Sequence, residues 1–298
     1  MHSHDDYKEN PFLATEDIAC LLRAGVLNLF LGAGVSQGFG LPKWTELVAR
    51  IVGRGSDRKY LKDLGKKSDK EIAKLLNEVD DDKRRIEYLT AVHKALYLNV
   101  KKNTLPEQLV RSPLLLAVAA LITGSCRGHV QRVFTYNYDN LLEQYLAMLG
   151  LAVCVRKEPS DLSTRSDVEI NHVHGFLPQD WTVSDITGNL VLSGKAYRDR
   201  RAEIDKGWSL AVECSMYSKC ALLLGLSADD SSVLDIFNRA KKNITRPNDY
   251  QGYWLLTPDA YARNASEVIG VGMCPIPLTK KEIPKFIFSV CQKALPQS

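Results

Sequence analysis

The 298-residue sequence predicts an α/β fold on a doubly wound, mainly parallel sheet with a helical insertion, from three observations. Short apolar runs recur along the chain. Segments of helical periodicity separate them, the alternation that builds a sheet covered by helices on both faces. Glycine and polar residues stand directly after several runs, where the strands of such a sheet deliver ligand-binding loops.

Taken in order, Thr15-Glu16-Asp17 opens an amphipathic helix with Ile18, Leu21 and Leu22 on its apolar side, and Gly25 stops it. Residues 26–31 form the first strand, ending at Gly32-Ala33-Gly34, and Pro42 opens a helix carrying Trp44, Leu47, Val48 and Ile51. Residues 54–125 are rich in Lys, Asp, Leu and Ala at helical spacing, with no strand pattern between them, and read as an all-helical insertion. Val133-Phe134-Thr135 is the next core strand and residues 141–149 its helix. Further strands are expected at 153–155, 170–173, 220–224, 253–256 and, last, 268–271. Residues 190–192 suggest a hairpin or short module, 233–240 a helix, and 281–295 a closing helix. The whole chain, 1–298, reads as one domain.

Composition narrows the function. Apolar residues make up 45% and charged residues 25%, ordinary for a buried core. The net charge of +4 is spread over acid-flanked positions, so direct nucleic-acid binding is not expected. Seven cysteines, an odd number without a C-x-x-C pair, argue against both a disulfide framework and a structural zinc ribbon. No secretory leader or membrane span is read, and a cytoplasmic location is expected.

Four strand-end loops carry the polar residues: Gly32-Ala33-Gly34-Val35-Ser36, Asn137-Tyr138-Asp139, His174-Gly175 and Gly225-Leu226-Ser227. The glycine turn lets backbone approach a pyrophosphate, with a helix N-terminus expected behind it; a tight structural turn is the alternative. The G-x-G-x-x-G spacing is not met, because Gly38 falls one residue late. Asn137 can hold a ribose hydroxyl or a water, or simply start a turn. Asp139 can accept from an amide, or cap the helix at Asn140. His174 suits a general base, or is a structural residue at a strand end. His172 is placed on the opposite face, outside the site. Gly225 and Ser227 suit phosphate or ribose, and Asp229 or Asp230 caps the following helix.

In this order the loops resemble the sirtuin family: Gly32-Ala33-Gly34-Val35-Ser36, Gly40-Leu41-Pro42, Tyr136-Asn137-Tyr138-Asp139, His174-Gly175 and Gly225-Leu226-Ser227. The resemblance implies a Rossmann-like sheet that binds NAD as substrate. It implies phosphate contacts from Gly32, Ala33, Gly34 and Ser36, and Asn137 orienting water and ribose. Asp139 would meet the nicotinamide amide, His174 would act as base, and Gly225 and Ser227 would lie on the adenosine side. Two features depart from deacylating sirtuins. Residues 176–213 hold no cysteine, so a short module replaces the zinc ribbon and no metal is expected. The Asp-Phe-Arg run is replaced by Lys43-Trp44-Thr45, which leaves Trp44 to cover the ribose but removes the arginine. The chain thereby looks like the zinc-free sirtuin-like domains of bacterial anti-phage defence, which hydrolyse NAD itself. That implies an NAD⁺ glycohydrolase with Asn137 and His174 as catalytic residues, controlled as a homo-oligomer or by a sensor or ATPase partner. The alternatives are an NAD-dependent deacylase or ADP-ribosyltransferase, and a non-enzymatic NAD or ADP-ribose sensor.

Overall fold

A computed structural model describes residues 4–77, 84–101, 105–124, 129–182, 190–193, 196, 207–228, 230–244 and 250–295. Seven strands form one sheet: β1 (Leu27–Leu31), β2 (Arg132–Thr135), β3 (Val153–Arg156), β4 (Val168–His172), β5 (Cys220–Leu224), β6 (Gly252–Leu256) and β7 (Met273–Pro277). Their order is β3-β4-β2-β1-β5-β6-β7, and every pairing is parallel. The sheet is thus an α/β, Rossmann-like sheet. From β1 the chain adds β2, then the edge strand β3, then β4 between those two, and crosses back to add β5, β6 and β7 on the other side. The turnover point lies at β1 and β5, where doubly wound sheets bind their ligands.

All five residues of β1, of β5 and of β6 are buried, as strands covered on both faces must be. One face packs Leu27, Leu29, Val133, Ile170 and Leu222 against α2 (Ala14–Arg23), α8 (Pro113–Ile122), α9 (Leu141–Met148) and α13 (Glu282–Lys293). The other packs Phe30, Phe134, Leu223 and Trp254 against α10 (Gly207–Ser218), α11 (Ser231–Asn243) and α12 (Pro258–Gly270). The short helix α1 (His4–Glu9) precedes α2. Among the described residues, five more α-helices lie between β1 and α8: α3 (Trp44–Ile51), α4 (Arg58–Leu64), α5 (Asp69–Lys74), α6 (Arg85–Tyr97) and α7 (Leu105–Val110). Among the described residues of 54–125 there is no strand. Its last helix, α8, packs on α13 and so lies in the layer that covers the sheet.

Three expectations are corrected. Residues 268–270 are the end of helix α12 and Val271 is the capping residue after it, not a strand; the last strand is Met273–Pro277. Thr257 caps α12 by accepting from Ala260 N–H, Pro258 occupies its first turn, and Asn264, Val268 and Val271 are buried at helical spacing. Pro275 and Pro277 hide β7 in the sequence and are tolerated because β7 is an edge strand. Of the hairpin or short module read at 190–192, the hairpin is not found: the described residues 190–193 hold no strand, and Val191 N–H makes a 2.9 Å bond to the His174 carbonyl. Behind the glycine turn come two 3₁₀ turns, Ala33–Val35 and Gln37–Phe39, and α3 starts only at Trp44. Gly40, at φ +90°, breaks the run, so the expected helix N-terminus does not stand directly behind Gly34. Half of the replacement module at 176–213 lies outside the described residues, as do Cys126 and Asp229.

Candidate functional site

The loops after β1 and β5 are joined backbone to backbone. Gly32 N–H donates to the Leu224 carbonyl at 3.1 Å, and Gly34 N–H donates to the Gly225 carbonyl at 2.9 Å. This closeness is what requires glycine. A Cβ on Gly32 would lie 2.4 Å from the Gly225 carbonyl oxygen, and one on Gly34 would lie 2.7 Å from Gly225 Cα. Gly225 itself has φ +69°. The three glycines therefore serve loop-to-loop contact first. Val35 N–H and Ser36 N–H are used locally, on the Gly32 and Ala33 carbonyls.

Ser36 carries the turn across to β2. Its hydroxyl is 3.1 Å from Asp139 Oδ1 and 3.1 Å from Asn137 Nδ2. The chemistry of the three groups fixes the direction of the chain. An ionised carboxylate only accepts, and a hydroxyl has one hydrogen, so Ser36 donates to Asp139 and accepts from the Asn137 amide. The Asn137 amide is therefore held with Oδ1 turned away from Ser36. That oxygen is buried and has no hydrogen-bond partner among the described residues. A buried acceptor without a donor is costly, on the order of 1–3 kcal/mol, and a bound hydroxyl or water relieves it.

Asp139 does two things. Its Oδ1 also accepts from Leu141 N–H at 3.2 Å, so it caps α9 while holding Ser36. Burial, more than any other influence, raises its carboxyl to about 6; the Leu141 N–H opposes this, the Glu143 charge adds to it, and the Ser36 hydroxyl opposes it.

His174 follows β4 in the chain, two residues beyond its end. Thr135 and His172 are register partners, and Val173 N–H continues the ladder onto the Thr135 carbonyl, so Asn137 and His174 leave the two strands at the same level. The His174 ring stands edge-on to Tyr136, centroids 4.7 Å apart. Asn137, Asp139 and His174 are all at least nine-tenths buried.

His172, expected outside the site, ends β4 and touches the backbone of Asn137. Its Nδ1 donates to the Asn137 carbonyl at 3.1 Å, and its Nε2 is 2.6 Å from Glu143 Oε1 on α9. Side chain and backbone of Asn137 are thus anchored separately. The helical segment contributes as well. Tyr97 hydroxyl donates to the Leu177 carbonyl at 2.8 Å, and His93 Nε2 lies 3.2 and 3.1 Å from the Pro178 and Gln179 carbonyls. Tyr138 hydroxyl donates to the Val191 carbonyl at 2.8 Å. His172, Glu143, Tyr97 and His93 carry no motif, so spacing alone does not single them out.

The structure brings Gly32, Gly34 and Gly225 together, and joins Ser36, Asn137 and Asp139 by hydrogen bonds, with His174 beside Tyr136. Ala33 opens the first 3₁₀ turn, and Ser227 is exposed beyond Gly225. Trp44 is half-buried against the core, and its indole N–H has no hydrogen-bond partner among the described residues. Among those residues no group of three His, Cys, Asp or Glu side chains is placed to hold a metal ion, and no helix is long and apolar enough to cross a membrane.

Residues 131–272 match the family model of the SIR2-like domain. The comparison with curated proteins returned no match. The matched stretch runs from the start of β2 past β6 and includes Asn137, Asp139, His174, Gly225 and Ser227; the glycine turn and Ser36 stand before it. The all-parallel sheet and this match over residues 131–272 support a sirtuin-like domain.

Proposed function

We propose that the protein is an NAD⁺ glycohydrolase. A SIR2-like domain supports an NAD-related function in general. The observation that carries the finer reading is the buried, donor-less Oδ1 of Asn137, oriented through Ser36 by Asp139. In this reading the Gly32–Ser36 and Gly225–Ser227 loops hold the dinucleotide, with Ala33 and Ser36 at the phosphates and Trp44 toward the ribose. Asn137 Oδ1 accepts a hydrogen bond from the attacking water. The bond between the anomeric carbon and the nicotinamide nitrogen breaks and its electron pair leaves with nicotinamide. Water oxygen bonds to the anomeric carbon, and His174 takes the released proton. The products are nicotinamide, ADP-ribose and one proton. Because the reacting side chains are buried, the strand-end loops part to admit substrate.

The reading extends, by the same resemblance, to an abortive-infection effector acting in the cytoplasm without metal. Unrestrained NAD loss would harm the host, so assembly or a partner protein is proposed as the control. The domain organisation proposed is a single unit, with residues 54–125 inserted and 176–213 standing where deacylating relatives carry zinc.

The test is release of nicotinamide from NAD by the purified protein, without added peptide, across pH 5–9. Turnover is expected to rise with pH through about 6 as Asp139 ionises and fixes Ser36. Asp139→Asn keeps an acceptor for Ser36 and should flatten that limb. The stability effect has the opposite slope. The folded value lies above the ordinary carboxylate value of 3.8, so the contribution of Asp139 to stability is full below about 4 and is lost as pH rises through about 6. At pH 8 Asp139→Asn is therefore expected to be the more stable protein, by on the order of 2–3 kcal/mol, in urea melts. No nicotinamide without an acylated peptide, or tight NAD binding without turnover, would defeat the hydrolase reading and favour a deacylase or a sensor.

A further inference from the structure

Both residues proposed to act on the water trace back to one neighbour, His172, which the proposed chemistry leaves without a role. His172 is wholly buried and its ring is committed at both nitrogens. Nδ1 is 3.1 Å from the Asn137 carbonyl, and Nε2 is 2.6 Å from Glu143 Oε1. A carbonyl only accepts, so Nδ1 carries a hydrogen and donates it. A second hydrogen lies between Nε2 and the Glu143 carboxylate. Glu143 thereby settles which nitrogen faces Asn137, since a ring turned over would lose both contacts. Phe176 stands edge-on to the same ring, centroids 4.4 Å apart. The backbone of His172 serves the other residue. Its carbonyl accepts from Gly175 N–H at 3.2 Å, which closes a turn over residues 172–175 with His174 at its third position.

Glu143 stands in the first turn of α9, whose start Asp139 caps through Leu141 N–H. Two separate lines therefore run from Asn137 to the start of α9. The side-chain amide goes through Ser36 to Asp139. The backbone carbonyl goes through His172 to Glu143. A residue held at its carbonyl oxygen and again at its amide nitrogen has little freedom left in where Oδ1 points. That matters for a group that must meet a reacting water, because a misplacement of about 1 Å costs on the order of 10²-fold in rate.

From this geometry we infer that His172 and Glu143 are positioning residues for Asn137: Glu143 orients the imidazole, and the imidazole Nδ1–H fixes the Asn137 carbonyl. The inference rests on the reading of Asn137 as the residue that holds the attacking water.

Two amide side chains separate the two ends of the ring. In His172→Asn the amide nitrogen falls where Nδ1 stood, and in His172→Gln it falls where Nε2 stood. His172→Asn should keep most of the kcat for nicotinamide release. His172→Gln should lower it by about tenfold to a hundredfold with KM little changed. Asn is the smaller residue and leaves the larger void, so a merely structural His172 would give the reverse order. Glu143→Gln keeps a polar partner on Nε2 and should stay within a few-fold of wild type, whereas Glu143→Leu should lose about tenfold. Both remove the same charge, so equal losses would give Glu143 a charge role and no positioning role. Rates are read at pH 8, above the Asp139 transition near 6, which keeps the effect of the Glu143 charge on Asp139 out of the comparison. In the substrate-free protein, hydrogen exchange over residues 136–139 should quicken in His172→Gln and not in His172→Asn. Equal behaviour of the two histidine variants, or a slower His172→Asn, would overturn the inference. A wild-type chain that releases no nicotinamide would defeat the hydrolase reading alone, and the order of exchange would then decide whether His172 positions Asn137.

Discussion

Asn137→Ala is expected to lower nicotinamide release by on the order of 10²–10⁴ in kcat while NAD still binds. The side chain makes one hydrogen bond within the protein, from Nδ2 to Ser36 at 3.1 Å, so its removal leaves the Ser36–Asp139 contact in place. The backbone carbonyl of residue 137 remains held by His172. The substitution therefore deletes the open acceptor and little else. Calorimetric titration with NAD and an initial-rate assay separate the two quantities. A loss that falls on KM, with kcat preserved, would mean that Asn137 binds substrate without acting on the reacting water.

His174→Ala is expected to cost a similar factor, on the order of 10²–10⁴, through loss of the proton acceptor. Here packing is removed as well, because the ring lies edge-on to Tyr136 with centroids 4.7 Å apart. A melting curve measured beside the rate keeps the two apart. His174→Gln retains part of the packing and a polar end but cannot take a proton, so it should refold like wild type and stay slow. Recovery of rate in His174→Gln would show that the ring's shape, and not its basicity, is what the reaction needs. Removing both Asn137 and His174 should cost little more than removing one, since both act on the same water.

The sheet was legible where a strand is buried on both faces. Residues 220–224 and 253–256 are apolar runs with nothing else to be, and they are β5 and β6. The edge was not legible. Pro275 and Pro277 conceal β7, and Val268 and Val271 imitate a strand while belonging to the last turn and C-cap of α12. At the site, residue types were readable and long-range contacts were not. Gly32 and Gly34 read as space for a pyrophosphate, and their nearest demand is the Gly225 backbone, nearly two hundred residues later in the chain. Asp139 read as a cap, which it is, but its second role needs Ser36, 103 residues away. His172 and Glu143 meet across 29 residues through β4 and α9, and no spacing rule reports such a pair.

The most direct measurement is a crystal structure of Asn137→Ala grown with NAD. The expected result places the anomeric carbon of the nicotinamide ribose beside the space left by Asn137 Oδ1, with the His174 ring turned to the same sugar and the pyrophosphate along Gly32–Ser36. NAD bound elsewhere, or bound there with that carbon facing away from both positions, contradicts the hydrolytic site.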